Sequence, residues 1–574
     1  MSVLSLDNVS VSIDPATIAA DAVRCLFEVL GARVNLQGRS SDVDIVIASN
    51  SPQSLDVGKR AWVVVTGSHS VESSMTREAL REPSLGFGPV AEMLTAAHAV
   101  LVALAILYRS GPRRGPAIAR ISMLEVMGTC LADLLLPALC QRAPQPRRST
   151  AERTLVIPCA DGSISITLTN ADARADLASM TGIEALLDSV ETSTRKLLEP
   201  WTRARSRNEI VEIGQSWRLP ILPVMGPDEV ERAGGCPVPR PFRVTDVPPA
   251  SAQQGQHDQC CQERYGRLPL SGVRVLDLGM VWSGPYCGRL LAGLGAEVIK
   301  VEGPRRRDGT RPTEGWHGCS GLFADLNRGK KSLVLDLATD EGRAAFIDLT
   351  RNADVVLENF SPRVMLNFHL DYGTLSSFNR SLVQLSLPGF ESDGPFGQFV
   401  SYGSGLELAT GLGLPRPGRM FEPAPVPYLD MLAGVYGAIG IVGALLRREV
   451  TGTGLRVEVA QQSIAQHFRF WCPDDLWSAT EPTIDPEAVA HNSDLLPDDF
   501  FTSASDDGYC RHLARCPWWL SDSATPDEAT APGFGADSAA VLRDVAGLSS
   551  EAIRRLIKAE AVVDSSIGLL TGIL

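Results

Sequence analysis

The sequence has no cysteine pair in C-x-x-C spacing, although it contains 12 cysteines in 574 residues. Zinc sites of the common kind use such pairs, so we assign no metal. A basic N-terminal region followed by an apolar run is also missing, which predicts no secretory signal and a cytoplasmic location. The thiols are therefore expected to be free or buried.

A positive charge balance is missing too. The formal net charge is -14 with a pI of about 5.2, which excludes a general nucleic-acid binder because phosphate contacts need a basic face. The longest apolar stretch, residues 93–108, is shorter than the roughly 20 residues that span a bilayer. It predicts a buried core helix and no membrane partner, with His98 as a satisfied core histidine.

The apolar content is high enough for several buried cores, since hydrophobic residues make up 44% and the mean hydropathy is +0.04. At roughly 100 to 200 residues per domain, the chain should form about three or four structural units. Residues 236–268 are rich in Pro, Gln and Ser, which is typical of a linker. We therefore divide the chain into residues 1–235, a linker at 236–268, and residues 269–574.

The two halves resemble each other. Residues 89–94 align with 427–432, and this register extends to 119–121 against 457–459. An earlier match, 30–32 against 294–296, differs from that register by 74 residues. The first half is therefore expected to lack those residues between its first βα unit and its long apolar helix, while the second half is shortened near its C-terminus. This pattern predicts two incomplete fused copies.

The second half predicts an α/β fold. The segments VRVLDL (273–278) and AEVIKV (296–301) read as buried strands around a helix at 285–294. Further strands are expected at 332–335, 354–357 and 382–387. This alternation predicts a doubly wound, mostly parallel sheet of the Rossmann-like kind. The first turn reads GMVWSGP, without G-x-G-x-x-G, so a common dinucleotide site is not supported.

Positive charge is concentrated between residues 300 and 331 of this acidic chain. Loops after parallel strands are where open α/β sheets bind ligands, and guanidinium groups suit phosphates. The segment predicts a phosphate-bearing ligand, with a solvated basic loop as the alternative. The missing residues of the first half span this place, so only the second half should bind it. The basic residues are Lys300, Arg305, Arg306, Arg307, Arg311, Arg328, Lys330 and Lys331.

Asp430 stands at the start of a long apolar helix, after Pro423, Pro425 and Pro427. An acidic residue there is ordinarily an N-cap that satisfies unpaired backbone amides. Spacing alone does not make this carboxylate catalytic.

Several separated motifs carry a family resemblance. They read LSGVRVLDLGMVWSGPYCGRLLAGLGAEVIKVEGPRRRDGTRP, DLNRGKKSLVLDL, ADVVLENFSPRV, LSLPGFESDGP and PYLDMLAGVYGAIGIV, in that order. Together they resemble the class III CoA-transferases, also called the carnitine dehydratase-like CoA-transferases. The resemblance covers roughly residues 270–470 and the tail at 533–563, and the first half resembles a truncated member.

The resemblance implies an enzyme that moves CoA from an acyl-CoA thioester to a carboxylic acid, with Asp430 of the LDMLAG motif as the nucleophile. It also implies contacts with CoA. The residues beside the pantetheine are Val281, Trp282 and Ser283, and those near the adenosine phosphates are Lys300, Arg305, Arg306 and Arg307. Further contacts come from Arg328, Lys330 and Lys331 of the NRGKKS motif and from Asn359, Phe360 and Arg363 of the ENFSPR motif.

The family fold also has a smaller α+β domain and forms an interlocked dimer. Two complementary halves could reproduce that arrangement within one chain, so we expect an intramolecular pseudo-dimer with one competent site. The first half would supply the small domain, and a homodimer is the alternative.

Three departures from the family pattern matter. The His-Asp pair of the racemases is replaced by residues 399–404, FVSYGS, which disfavours proton abstraction at the α-carbon. The oxyanion loop, 411–415, is less glycine-rich than usual, so its amide donors are not assigned. Glu92 stands where Asp430 stands and is expected to be a helix-start carboxylate. The alternatives to a transferase are a CoA-thioester-binding pseudoenzyme and an acyl-CoA isomerase or racemase.

Overall fold

The structure is a computed structural model that describes the chain in separate stretches. They are residues 10–13, 26, 33–35, 43–48, 61–66, 88–109, 117–132, 153–168, 171–187, 191–232, 240–246, 268–311, 321–416, 419–422, 424, 427–471, 500–506, 509–520 and 530–565.

The elements before residue 247 are β1 (Ser10–Ile13), β2 (Arg33–Asn35), β3 (Val43–Ala48), β4 (Ala61–Thr66), α1 (Gly88–Arg109), β5 (Ala117–Ser122), α2 (Met123–Cys130), β6 (Arg153–Cys159), β7 (Gly162–Leu168), α3 (Ala171–Thr181), a 3-10 turn (Glu184–Leu186), α4 (Glu191–Arg203), α5 (Arg207–Ser216), β8 (Ile221–Pro223), α6 (Pro227–Arg232) and β9 (Arg243–Asp246).

The elements after it are β10 (Arg274–Asp277), α7 (Ser283–Gly293), β11 (Glu297–Glu302), α8 (Gly321–Asn327), β12 (Lys331–Leu335), α9 (Asp340–Arg351), β13 (Val355–Glu358), α10 (Arg363–Asn367), α11 (Tyr372–Phe378), β14 (Val383–Ser386), α12 (Gly403–Ala409), β15 (Leu414–Arg416), β16 (Arg419–Glu422), α13 (Tyr428–Thr451), β17 (Leu455–Glu458), α14 (Gln461–Trp471), β18 (Phe501–Asp506), β19 (Tyr509–Ala514), β20 (Trp518–Leu520), α15 (Ser538–Asp544), α16 (Ser550–Lys558) and β21 (Val562–Val563).

The second half is built on a sheet with the strand order β21-β12-β11-β10-β13-β14-β17-β9. Its inner pairs are parallel, and the edge strands β21 and β9 are antiparallel to their neighbours. Alternate side chains enter two separate cores, as Val275 and Leu276 show. Strands buried on both faces read as continuous apolar runs. The predicted α/β sheet is confirmed.

The first half forms a second sheet, with the order β2-β1-β3-β4-β5-β20. Strands β1 to β5 pair in parallel, and β20 is antiparallel to β5. This order matches β11-β10-β13-β14-β17-β9 of the other sheet strand by strand. Such a match is what the predicted duplication would produce, and the duplication itself stays a prediction.

The sheets differ next to their second strand. In the first half β2 ends at Asn35 and β3 begins at Val43, whereas β11 ends at Glu302 and β13 begins at Val355. Among the described residues, no strand of the first sheet corresponds to β12. The basic segment of the second half therefore has no counterpart between β2 and β3.

Each half also completes the other's sheet. Strand β9, from the end of the first half, pairs with β17, and β20, from the second half, pairs with β5. Residues 243–246 lie in the segment that the sequence assigns to the linker, so that boundary is corrected here. The alternation of Phe242 and Val244 with polar residues explains the strand, because Phe242 is buried and Val244 packs against the core.

The two long apolar helices, α1 and α13, pack against each other in the main core. The Tyr436 hydroxyl of α13 donates to Met93 Sδ of α1 at 3.5 Å. Both helices are long and apolar enough to cross a membrane, but most of each lies buried within the protein. Because they are covered all round by protein, apolar side chains on every face are what burial requires.

A smaller α+β unit belongs to the first half. Strands β6, β7 and β8 form an antiparallel sheet, and residues such as Ile164 and Ile166 share its core with Leu198 and Ile210 of the covering helices. Helix α12 of the second half packs on β8. The small unit therefore contacts the half that carries Asp430.

Candidate functional site

The site lies at the carboxyl ends of the parallel strands in the second sheet, where an open α/β sheet binds its ligands. Val281, Trp282 and Ser283 follow β10, and Asn359 follows β13. The Asn359 side chain accepts from Met280 N at 2.8 Å and donates to Met280 O at 2.8 Å and to Ser283 Oγ at 3.2 Å. Asn359 therefore positions the turn after β10.

Asp430 lies in the first turn of α13 and is 5% exposed. Pro427 occupies the N-cap position, so the N-cap role expected for Asp430 is corrected. Gln461 Nε2 donates to Asp430 Oδ1 at 2.7 Å. Burial raises the pKa of Asp430 to about 6, although hydrogen bonds from Gln461 and Ser283 oppose that rise. The result is a buried carboxylate that titrates near neutral pH.

Gly403 brings the backbone close to the other oxygen of that carboxylate. A side chain at position 403 would collide with Asp430 Oδ2 and with Pro427. Since Oδ1 is held by Gln461, Oδ2 is the oxygen that faces this narrow space beside the loop leading into α12. Only glycine permits so close an approach.

The expected oxyanion loop lies next to this helix start. Gly411 has a φ of 75°, and Leu412 O accepts the Tyr428 hydroxyl at 2.8 Å. Because Tyr428 is the first residue of α13, this contact places the loop near Asp430. The side chains of residues 414 and 415 lie outside those described, and an oxyanion role for the loop stays an expectation.

Lys300 and Lys330 are buried in ion pairs beneath the first turn. Lys300 Nζ lies 2.6 Å from Asp308 Oδ2 and also donates to Gly279 O. Lys330 Nζ donates to Asp277 Oδ2 at 2.7 Å, and burial lowers its pKa to about 8 while Asp277 opposes that shift. Both ammonium groups are buried and paired within this network, and their expected contacts with CoA stay predictions.

The remaining basic residues of the segment occupy different places. Arg311 also pairs within the protein, with Glu302, and Arg328 donates to Ala514 O. Lys331 Nζ lies 2.5 Å from Glu297 Oε1, at the amino end of β11. Lys331 therefore lies at the end of β11 opposite the loop that follows this strand, whereas Arg311 lies in that loop and pairs with the last residue of the strand, Glu302.

Exposed arginines follow the carboxyl ends of β11 and β13. Arg305 and Arg306 are exposed after β11, and Arg307 stacks over Phe534 with 4.3 Å between the guanidinium carbon and the ring centre. Arg363 is exposed after β13, beyond the partly buried Phe360. These arginines are the part of the predicted set that remains available to phosphates, and their roles stay predictions.

Sequence reasoning missed Gln461 and Arg218. Gln461 opens α14 directly after β17, so the rule on carboxyl ends of parallel strands would have indicated it. Arg218 lies in the small unit and reaches the second half, where its Nη1 donates to Gln398 O at 2.9 Å. No local pattern points to that contact.

No group of three or more His, Cys, Asp or Glu side chains among the described residues could hold a metal ion. The groups that the described residues supply at this site are a carboxylate, amide and hydroxyl donors, and arginines.

Comparison with known proteins identifies relatives of this arrangement. The model of CoA-transferase family III matches residues 57–237 and 270–509. The chain is 36% identical over 206 residues to a succinate–glutarate CoA-transferase of Agrobacterium fabrum, covering 33% of this chain and 50% of that protein. It is 37% identical over 199 residues to an acetyl-CoA:oxalate CoA-transferase of Acetobacter aceti, with coverages of 33% and 50%.

A probable CoA-transferase of Mycobacterium tuberculosis is 31% identical over 293 residues, covering 48% of this chain and 36% of that protein. Among solved structures, a CaiB/BaiF family protein from Brucella suis is 33% identical, with a TM-score of 0.33 and coverages of 35% of this chain and 57% of that one. The chain thus spans about half the length, or less, of these curated relatives.

Proposed function

The chain belongs to CoA-transferase family III, and from that premise we propose that it moves CoA from an acyl-CoA donor to a carboxylic acid, with Asp430 as the covalent nucleophile. The observation that carries the proposal is the buried Asp430 carboxylate, which accepts a hydrogen bond from Gln461 on one oxygen and leaves the other beside Gly403. A buried carboxylate that is held in a fixed orientation by hydrogen bonds is suited to nucleophilic attack.

Oδ2 of Asp430 attacks the thioester carbonyl carbon and forms a C–O bond, while the C–S bond breaks and CoA leaves as its thiolate. The thiolate then attacks the Asp430 carbonyl carbon of the mixed anhydride. The donor leaves as a carboxylate, and Asp430 carries CoA as a thioester. The acceptor carboxylate reverses both steps, so two modest barriers replace one large one.

The Gln461 amide supports the second step in particular. Once Oδ2 has formed the anhydride, Oδ1 is the carbonyl oxygen of Asp430, and it is the atom that gains charge when the thiolate attacks. Gln461 Nε2 lies 2.7 Å from Oδ1, within the range of an oxyanion donor. We therefore assign Gln461 as the donor to the enzyme's own carbonyl.

CoA would lie along the carboxyl ends of β10, β11 and β13. Val281, Trp282 and Ser283 would contact the pantetheine, because Ser283 also reaches Asp430. Arg305, Arg306 and Arg307 would meet the phosphates, together with Asn359, Phe360 and Arg363. The exposure of the arginines and their position after the strands support this placement.

We further propose that the chain acts as an intramolecular pseudo-dimer with one competent site. The exchange of β9 and β20 between the sheets and the packing of α1 on α13 support it. The first half would contribute its small unit rather than a second nucleophile.

Intact-protein mass spectrometry tests the mechanism. Wild type, Asp430→Asn and the matched control Glu92→Gln are each incubated with acetyl-CoA, succinyl-CoA and glutaryl-CoA, chosen from the acyl groups and acids in the relatives' names. Hydroxylamine treatment and peptide mapping then locate any adduct. We expect a labile CoA adduct on Asp430 in wild type and in Glu92→Gln, and none in Asp430→Asn.

Other results would redirect the proposal. CoA binding without an adduct would indicate a pseudoenzyme that binds CoA thioesters. Incorporation of deuterium from heavy water at the α-carbon of the substrate would indicate an isomerase or racemase.

A further inference from the structure

The small unit of the first half contacts the second half at the loop that precedes α12. Gln215, at the end of α5, clamps the facing loop: its Nε2 donates to Val400 O at 3.0 Å, and Val400 N donates to its Oε1 at 2.7 Å. Three residues further along the loop is Gly403, beside Asp430. The clamp therefore ties the small unit to a segment that reaches the nucleophile.

Arg218 follows this clamp in an unusual backbone conformation. Its φ is 60°, in the left-handed region that a residue other than glycine adopts at a cost. Nη1 donates to Gln398 O at 2.9 Å, and this contact turns the guanidinium towards the loop. This left-handed residue ends α5, where Arg218 N donates to Gln215 O at 3.0 Å and Leu219 N donates to Gly214 O at 2.9 Å.

The guanidinium of Arg218 is only partly satisfied. Its Nε and Nη2 are buried and have no hydrogen-bond partner among the described residues. Burial lowers the pKa of Arg218, and the positive charge of Arg363 lowers it further. Neither arginine forms an ion pair within the described part of the chain. Buried donors without an acceptor, such as those of Arg218, are unfavourable unless a ligand supplies the acceptor.

We propose that Arg218 and Arg363 form one anion-binding subsite, which takes an oxyanion of the CoA thioester and receives one arginine from each half. Guanidinium groups bind phosphates and carboxylates through paired N–H donors, so both ions fit this chemistry. The anion is either a phosphate of CoA or a distal carboxylate on the acyl group. The inference rests on the proposed function, since it requires a CoA ligand.

The position of the subsite supports this ligand. Arg363 opens α10, directly after the ENFSP segment whose Asn359 holds the turn after β10. Arg218 contacts the loop that leads to Gly403 and Asp430. The two arginines therefore bridge the segment beside the proposed pantetheine path and the segment beside the nucleophile.

Isothermal titration calorimetry on the full chain tests the subsite without requiring turnover. CoA, 3′-dephospho-CoA, acetyl-CoA and succinyl-CoA are titrated into wild type, Arg218→Gln, Arg363→Gln and the matched control Arg380→Gln. Arg380 is also exposed, but it precedes β14, at the amino ends of the strands. Each subsite variant should bind at least one ligand roughly tenfold more weakly or worse, whereas Arg380→Gln should bind like wild type.

The pattern of losses identifies the anion. A loss with succinyl-CoA but not acetyl-CoA assigns the distal carboxylate, a loss with CoA but not 3′-dephospho-CoA assigns the 3′-phosphate, and an equal loss with all four assigns the pyrophosphate. Since both arginines would bind one anion, the double variant should lose less affinity than the product of the single losses.

Thermal unfolding of the ligand-free variants separates binding from a structural role. Without ligand, Arg218→Gln should unfold at or above the wild-type temperature, because it removes a buried charge that is not fully paired. Unchanged affinity in both variants would overturn the subsite, as would a loss confined to an Arg218→Gln protein that unfolds at a lower temperature. Failure of wild type to bind any CoA ligand would instead overturn the proposed function together with it.

Discussion

The long apolar helix of each half carries a carboxylate near its start: Asp430 in the first turn of α13, and Glu92 just beyond the first turn of α1. Asp430 accepts a hydrogen bond from Gln461 at 2.7 Å. In the register that aligns Asp430 with Glu92, the residue corresponding to Gln461 is Met123, which opens α2 after β5. A thioether has no N–H or O–H to donate. Met123 therefore cannot donate the hydrogen bond that Gln461 donates to Asp430.

The two halves also contribute different structural parts. The second half has β12, the basic segment around it and the donor to Asp430. The first half has the small α+β unit, which carries Arg218. Each half also places an edge strand on the other's sheet, so neither half completes its own fold.

Replacement of the nucleophile should have the largest effect. Asp430→Asn should lower the rate of CoA transfer by at least about a thousandfold, because an amide cannot form the anhydride. Glu92→Gln makes the equivalent change in the first half and should leave the rate within about twofold of wild type. Steady-state transfer rates measure both. A comparable fall in Glu92→Gln would show that both halves catalyse.

The same replacement should stabilise the fold at high pH. The pKa of Asp430 is raised from 3.8 to about 6 in the folded protein, so its stability contribution is fully present below pH 3.8 and lost as pH rises through 6. Asp430→Asn avoids that loss and should be more stable than wild type at pH 8, by up to about 3 kcal/mol. At pH 4 the two proteins should nearly coincide.

Denaturant unfolding at both pH values measures this effect. Glu358, whose pKa burial raises to about 7, titrates in the same range, but it is present in both proteins and cancels in the difference. A variant that is equally stabilised at pH 4 and pH 8 would contradict the raised pKa of Asp430.

Exchanging Gln461 and its counterpart Met123 tests directly whether the hydrogen bond to Asp430 distinguishes the two halves. Gln461→Met gives the second half the residue of the first, and it should lower transfer by roughly a hundredfold, the typical cost of removing one oxyanion donor. The pKa seen in the acid limb of the pH–rate profile should also rise above about 6, because Gln461 now stabilises the ionised form. Met123→Gln should change neither quantity.

The sheet of the second half could be predicted because its strands are short apolar runs separated by helices. Segments 273–278 and 296–301 were sufficient to predict β10 and β11, and both strands are present. Strand β9 was not predicted, since an isolated edge strand in a proline-rich stretch depends on its partner β17. Pairing with a distant strand leaves no local periodicity.

The site was predictable in residue type rather than in arrangement. The motifs indicated Asp430, and the charge pattern indicated a basic segment. Sequence could not show which of these basic side chains are buried. Lys300 and Lys330 form buried ion pairs with Asp308 and Asp277 that exist only in the folded chain. Arg218 could not be associated with Arg363 from sequence, since the electrostatic interaction between them depends on how the small unit packs.

The smallest expected effect is a change in the free energy of unfolding when the hydrogen bond between His98 and Tyr286, which joins the two halves, is removed. His98 was predicted to be a satisfied core histidine, and the structure confirms this: Nδ1 lies 2.7 Å from Leu94 O, and Nε2 lies 3.0 Å from the Tyr286 hydroxyl. Burial lowers the pKa of His98 to about 4, so the ring is neutral. A carbonyl only accepts, so Nδ1 carries the proton and Nε2 accepts the Tyr286 hydroxyl.

Tyr286→Phe would leave the Nε2 acceptor of His98 buried and unpaired across this junction. We expect a loss of about 1 to 3 kcal/mol in the free energy of unfolding. Tyr372→Phe is the matched control, since the Tyr372 hydroxyl is buried and has no hydrogen-bond partner among the described residues. Its removal should be neutral or slightly stabilising, because no partner is left behind. Equal losses in the two variants would show that the bond between the halves contributes nothing beyond the packing of the ring.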